Sequence, residues 1–251
     1  MPECLSIIYQ DEHLVAINKP SGLLVHRSEI DRHETRFALQ LIRDQLGQQV
    51  FPVHRLDKPT AGALVFALNT EIARRMNTIF SQHAVQKTYL ALVRGHAPES
   101  IRVDHPLREE VDKYTDKNAD KNKPAQTALT DFKTLATIEF PFSLDKYPST
   151  RYSLVECRPQ TGRKHQIRRH LKHISHPIIG DAKHGKGIHN RFFKTHFNCD
   201  GLMLSATELS FVHPVDGRSL KIIAPLEEKF AKILKEFNWR DSIPSCWMGV
   251  A

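Results

Sequence analysis

Asp57 lies in Val53-His54-Arg55-Leu56-Asp57-Lys58-Pro59-Thr60-Ala61-Gly62, one acid among basic residues on a stretch rich in turn formers. An unbroken apolar run follows, Ala63 to Leu68, and its shortness and aliphatic content fit a buried strand. A carboxylate at the mouth of such a strand, beside Arg55 and Lys58, is favoured in its charged form. It can then act as a nucleophile. Asp is also common in tight turns for structural reasons, so the local residues alone leave both readings open.

Two further segments carry side chains suited to a site. In Lys87-Thr88-Tyr89-Leu90-Ala91-Leu92-Val93 the residues alternate, placing Tyr89, Ala91 and Val93 on one side. Both sides are mostly apolar, so the Tyr89 ring is either plain packing or a surface on which a base stacks. In Thr161-Gly162-Arg163-Lys164-His165-Gln166-Ile167-Arg168-Arg169-His170-Leu171, Gly162 ends a strand and a helix is expected from about Arg163. Ile167, Leu171 and Ile174 form its core-facing stripe. Arg168 falls on the margin of that stripe, where it can bury its stem and present its guanidinium inside a cleft. Arg163 and Lys164 would sit at the helix N-terminus, which disfavours cations unless an anion is near. A phosphate or the Asp57 carboxylate would serve; a solvated basic face is the structural alternative.

These residues need a scaffold, and the chain supplies one. Strands are expected at Leu5 to Tyr9, Leu14 to Asn18, Lys87 to Val93, Thr127 to Leu135, Tyr152 to Cys157, Leu202 to Phe211 and Leu220 to Ile223. Apolar residues at helical spacing mark helices from Phe37 to Leu46, about Glu71 to His83, and about Leu226 to Phe237. Asp112 to Pro124 reads as an exposed polar loop, and His184 to Asp200 as a loop, either ordered for recognition or mobile. Strands joined by hairpins with few helices between them indicate an α+β fold with a mainly antiparallel sheet.

Bulk properties narrow the function classes. At 251 residues the chain can bury a sizeable core. A net charge of +8 favours a polyanionic partner such as RNA. No apolar stretch approaches the roughly 18 residues of a membrane span, and no signal peptide is visible, so a cytoplasmic location is expected. The four cysteines are scattered and give neither a disulfide framework nor a zinc ribbon. His165, His170 and His173 lack a carboxylate partner, and no metal is expected.

The three segments, in this order, resemble the motifs of the RluA-type pseudouridine synthases. His54-Arg55-Leu56-Asp57 with Thr60-Ala61-Gly62 resembles the aspartate motif, Lys87 to Val93 the tyrosine motif, and Thr161 to Leu171 the arginine motif. The resemblance runs from about Ile8 through Asn18-Lys19-Pro20-Ser21-Gly22 to Pro225. Val25-His26-Arg27-Ser28, Arg168-Arg169-His170-Leu171 and His176 to Asp181 are closest to members that isomerise uridine 65 of tRNA. The resemblance implies one catalytic domain over residues 1–251 with the pseudouridine synthase fold, a central RNA-binding cleft, flanking helices and no N-terminal accessory domain. It implies an isomerase that needs no cofactor and works as a monomer. Asp57 would be the catalytic acid and Arg168 its partner. Tyr89 would stack on the uracil and take part in proton transfer. Arg55 would fill the gap left when the uridine flips from its stem. Ala61 stands where the family usually has serine, and His184 where many members have tyrosine.

Other readings remain. The same reaction on ribosomal RNA uses the same motifs. A non-catalytic RNA-binding module would retain the cleft without needing Asp57, Tyr89 and Arg168 together. A hydrolase would normally require a second carboxylate near Asp57.

Overall fold

A computed structural model of the chain describes residues 4–27, 33–109 and 124–249. The polar segment expected as a loop from Asp112 lies outside these residues up to position 123. The elements in chain order are β1 (Ser6–Gln10), β2 (Leu14–Lys19), α1 (Ala38–Leu46), β3 (Phe51–Pro52), β4 (Ala61–Ala67), α2 (Thr70–Ser81), β5 (Gln86–Arg94) and β6 (Ser100–Asp104). They continue with β7 (Leu129–Phe140), β8 (Thr150–Pro159), α3 (Gln166–His173), α4 (Gly187–His196), β9 (Leu204–Val212), β10 (Ser219–Ile223) and α5 (Glu228–Glu236).

The strands form one sheet in the order β1-β2-β4-β9-β5-β8-β7-β6, with β3 beside β4 and β10 beside β9. Every pairing is antiparallel except β4 with β9. This is the α+β architecture expected from the alternation of short strands and few helices.

The unbroken apolar run has a direct cause. All seven residues of β4 are buried. Ala63, Val65 and Ala67 face one core cluster, while Leu64 and Phe66 face another. A strand covered on both faces has no use for polar alternation. Its entry is set by Gly62, whose φ is +114°. A Cβ there would meet the Ala206 carbonyl oxygen at 2.2 Å. Glycine thus permits the close parallel approach of β4 to β9, where Ala61 pairs with Ser205 and Gly62 with Ala206.

Helix ends follow local chemistry. Asn69 caps α2 by accepting from the Ile72 amide at 2.9 Å, and Gly47 ends α1 with φ +66°. Three of these elements were not anticipated. α4 occupies much of the stretch from His184 to Asp200 read as a loop, β6 pairs along β7, and the short β3 pairs with β4. α4 has no side-chain cap and is rich in His, Asn and Lys, so its sequence gives a weak helix signal. It is held by packing, with Phe192 and Phe193 in the largest core cluster. No described helix is long and apolar enough to cross a membrane.

Candidate active site

The turn before β4 is held from three directions. The Thr60 amide donates to the Asp57 carbonyl at 3.0 Å and closes the turn itself. The segment after β2 cradles it from below. Lys19 is fully buried, and its ammonium donates to the carbonyls of Pro20, Leu23 and Lys58 at 2.9, 2.8 and 3.2 Å. The Gly22 amide donates to the same Lys58 carbonyl at 2.8 Å, and the Ser21 hydroxyl to that of Pro59 at 2.9 Å. Burial lowers the Lys19 pKa to about 7, against the opposing pull of Glu227 and Asp57. From the other side, His54 accepts the Val65 amide at 3.0 Å and stacks on Phe80. Burial, then the charge of Lys87, lowers the His54 pKa to about 3, so it is a neutral acceptor. Ala61, in place of the usual serine, is buried at the start of β4, and the turn closes without a hydroxyl there.

Arg168 meets Asp57 from the opposite half of the molecule. Its Nη1 donates to Asp57 Oδ2 at 3.1 Å. Its Nε and Nη2 donate to Asp181 at 2.7 and 2.8 Å, a bidentate pair. The side chain is 6% exposed, so the marginal position in the amphipathic pattern becomes a buried stem with its head at the site. Burial disfavours the Arg168 charge, but bonds and charge from Asp181 and Asp57 raise its pKa on balance. Asp181 is itself penalised by burial, and its partners pull its pKa down. Its Oδ1 also accepts the amides of Lys183 and His184, each at 2.9 Å.

Asp181 was not singled out from the sequence. The available signal was Gly180-Asp181, an acid after a glycine in a turn. A Cβ on Gly180, at φ +76°, would strike the Gly201 carbonyl oxygen at 1.7 Å. α4 secures this turn, since Asn190 accepts the Gly180 amide at 2.8 Å and donates to the Asp181 carbonyl at 3.0 Å.

α3 begins at Gln166, three residues after the expected start, because His165 adopts a left-handed conformation with φ +55°. Arg163 and Lys164 therefore precede the helix. The Gln166 side chain accepts from the Arg163 amide at 3.0 Å and the Thr161 hydroxyl at 2.7 Å. His165 turns toward the site, with Nε2 at 3.8 Å from Asp57 Oδ2 and Nδ1 at 3.0 Å from His184 Nε2. His184 thus occupies the tyrosine position of many relatives as the partner of a second histidine. His170, also weighed as a metal ligand, has its ring nitrogens 3.0 Å from the Thr130 hydroxyl and the His105 carbonyl. The described residues contain no cluster able to hold a metal ion.

Tyr89 sits on β5 at a register shift opposite Ala206 of β9 and packs against both flanking cores. Burial, then the charge of Asp57, raises its pKa, so the phenol keeps its proton at neutral pH. Asp57, Arg168 and Tyr89 thus converge. Arg55 is exposed and makes no hydrogen bond or ion pair with them among the described residues. Lys58, expected beside Asp57, pairs with Glu34 at 2.8 Å. The cation on the Asp57 carboxylate is Arg168, brought 111 positions along the chain.

The site holds the Asp57 carboxyl group against a fixed cation beside an aromatic ring, with that side chain 22% exposed and open to a substrate. Comparison with known proteins agrees with this chemistry. A family model described as RNA pseudouridylate synthase matches residues 13–173. The chain is 52% identical over 239 residues to tRNA pseudouridine synthase C of Vibrio cholerae, covering 95% of this chain and 98% of that protein. It is 47% identical over 237 residues to the protein of the same name from Haemophilus influenzae, covering 94% and 99%. Among solved structures, human RNA pseudouridylate synthase domain containing 4 superposes with a TM-score of 0.69 at 26% identity, over 93% of each chain. The chain belongs to the RNA pseudouridylate synthase family, isomerases that convert uridine in RNA to pseudouridine.

Proposed function

We propose that this chain converts a uridine of tRNA, uridine 65, to pseudouridine, with Asp57 as the catalytic carboxylate. The observation that carries the reading is the shared guanidinium of Arg168, fixed by Asp181 on two donors and offered to Asp57 on a third. The tRNA substrate rests on the similarity to proteins named tRNA pseudouridine synthase C.

The reaction breaks the N-glycosidic bond, turns the uracil, joins C5 to the ribose C1′ and releases the C5 proton to solvent while N1 gains one. Atoms balance without a redox partner or nucleotide. Asp57 acts at the uridine while Arg168 holds it in place through the 3.1 Å contact to Oδ2. Tyr89 stacks on the uracil with its proton retained. Arg55, exposed two residues before Asp57, fills the space that the flipped nucleotide leaves. Flipping costs a few kcal/mol, and contacts in the pocket and along the backbone offset it. The enzyme works as a monomer in the cytoplasm, where tRNA is found.

The test is tritium release from C5-labelled, unmodified tRNA, with pseudouridine mapped at single-nucleotide resolution. Wild type releases tritium at position 65; Asp57→Asn releases none and still binds tRNA. Release by Asp57→Asn refutes the role of that acid, and modification of ribosomal RNA alone refutes the tRNA substrate.

A further inference from the structure

A cavity lies away from Asp57, where the far end of β5 meets the β7–β8 hairpin and α4. Its volume is about 170 Å³, and Arg94, His96, Tyr147, Ser149, Arg151 and His189 line it. The catalytic reading uses none of them.

Its floor holds a buried, unsatisfied group. His189 is 4% exposed, and its Nε2 has no hydrogen-bond partner. Its Nδ1 lies 3.0 Å from the hydroxyl of Tyr152, which is fully buried. The phenol can satisfy its own proton by donating to Nδ1, which assigns the ring proton to Nε2. Burial, then Arg94 and Lys186, lowers the His189 pKa to about 4, so the ring is neutral. A neutral N–H donor therefore stands at the cavity wanting an acceptor. A buried donor left unpaired is costly, and an occupant that accepts from it relieves that cost.

The rim adds two further kinds of group. Tyr147 is 51% exposed, and with Phe142 it makes this hairpin the site of two of the four large exposed apolar side chains of the described residues. Arg151 is half exposed, and Arg94 reaches the cavity from β5. Asp145 ties the wall together by pairing with Lys186 and, at 3.9 Å, with Arg94. The half-exposed Tyr147 ring with the Lys146 ammonium 5.2 Å from its centroid, Arg94, the Arg151 guanidinium paired with Glu139 at 3.1 Å, and an inward N–H donor together match a nucleotide: base on the ring, carbonyl on the N–H, phosphate on the basic groups.

We propose that this cavity binds an unpaired nucleotide of the RNA substrate, a second contact that helps the enzyme choose its RNA. The inference rests on the tRNA reading above. The position suits it, because β5 carries Tyr89 toward the site and Arg94 into the cavity, roughly 17 Å apart at about 3.4 Å per residue. The chain also leads from His184, bonded to His165 in the site, to His189 in the cavity within five residues.

Steady-state tritium release on full-length unmodified tRNA tests it. Tyr147→Ala combined with Arg151→Met alters only surface side chains. The pair is expected to raise KM about tenfold with kcat unchanged. His189→Phe, which removes the N–H donor, is expected to raise KM similarly, its fold checked by thermal melting. Should that variant unfold, the surface pair still decides. A KM within about twofold of wild type for the surface pair overturns the cavity assignment, while inactivity of the wild type on tRNA overturns the function instead.

Discussion

Asp57 and Asp181 are the same side chain on the same arginine, yet they differ in nearly everything else. Asp181 has no exposed side-chain surface and takes four donors, two from Arg168 and two from backbone amides. Asp57 is 22% exposed and takes one bond from Arg168, with His165 at 3.8 Å. The saturated acid cannot react and serves as an anchor. The open acid keeps lone pairs for a substrate. Chemistry is therefore assigned by surroundings, and Arg168 transmits the order of the first acid to the second.

Charge removal at each acid should break this contrast in opposite ways. The largest effect is on activity: Asp57→Asn abolishes tritium release with an unchanged melting temperature, because a partly exposed acid with one ion-pair bond holds little of the fold together. A marked loss of stability there would make Asp57 a structural residue. Next, Asp181→Ala leaves a buried arginine without its main partner. Stability should fall by about 3–5 kcal/mol, read by denaturant unfolding. A near-neutral result would mean that Arg168 is held by something else. Third, Arg168→Met should lower kcat about 10²-fold while tRNA affinity changes little, since the cation orients the acid rather than gripping phosphate. A large affinity loss with normal turnover would reverse that assignment.

The smallest effect concerns how the turn is held. The His54 pKa is lowered to about 3 in the fold, so the unfolded chain binds a proton first as the pH drops below about 6.5. Stability from His54 is complete above that value and is lost progressively toward pH 3. Between pH 7 and 5 wild type should lose about 2 kcal/mol that His54→Gln does not. Equal losses in both proteins would show that His54 is not the group responsible.

Much of this arrangement was legible because it is local. The buried run from Ala63, the apolar faces of α1 and α2, and the marginal position of Arg168 all follow from periodicity within one element. The turn of Asp57 could be recognised as a turn, but its partners could not be read from spacing alone. Lys19 approaches from 38 residues before Asp57 and Arg168 binds from 111 after it, and only the sheet order β2-β4-β9-β5 brings those segments together. Lys58 misled for the complementary reason: proximity in sequence stood in for proximity in space, and its side chain turns to Glu34. α4 was missed because its polar sequence lacks a cap, its helicity coming from the core beneath it.

The parallel contact made possible by Gly62 joins β4 to β9 through two register pairs, whereas six link β2 to β4 and six link β9 to β5. That line is the weakest seam in the centre of the sheet, and the Asp57–Arg168 pair straddles it: Asp57 enters on the β4 side, while Arg168 and Asp181 belong to the β9 side. The Asp57–Arg168 separation therefore works as a gauge of twist between the two halves. Any ligand bound across both flanks would change that separation by setting the angle at which the halves meet.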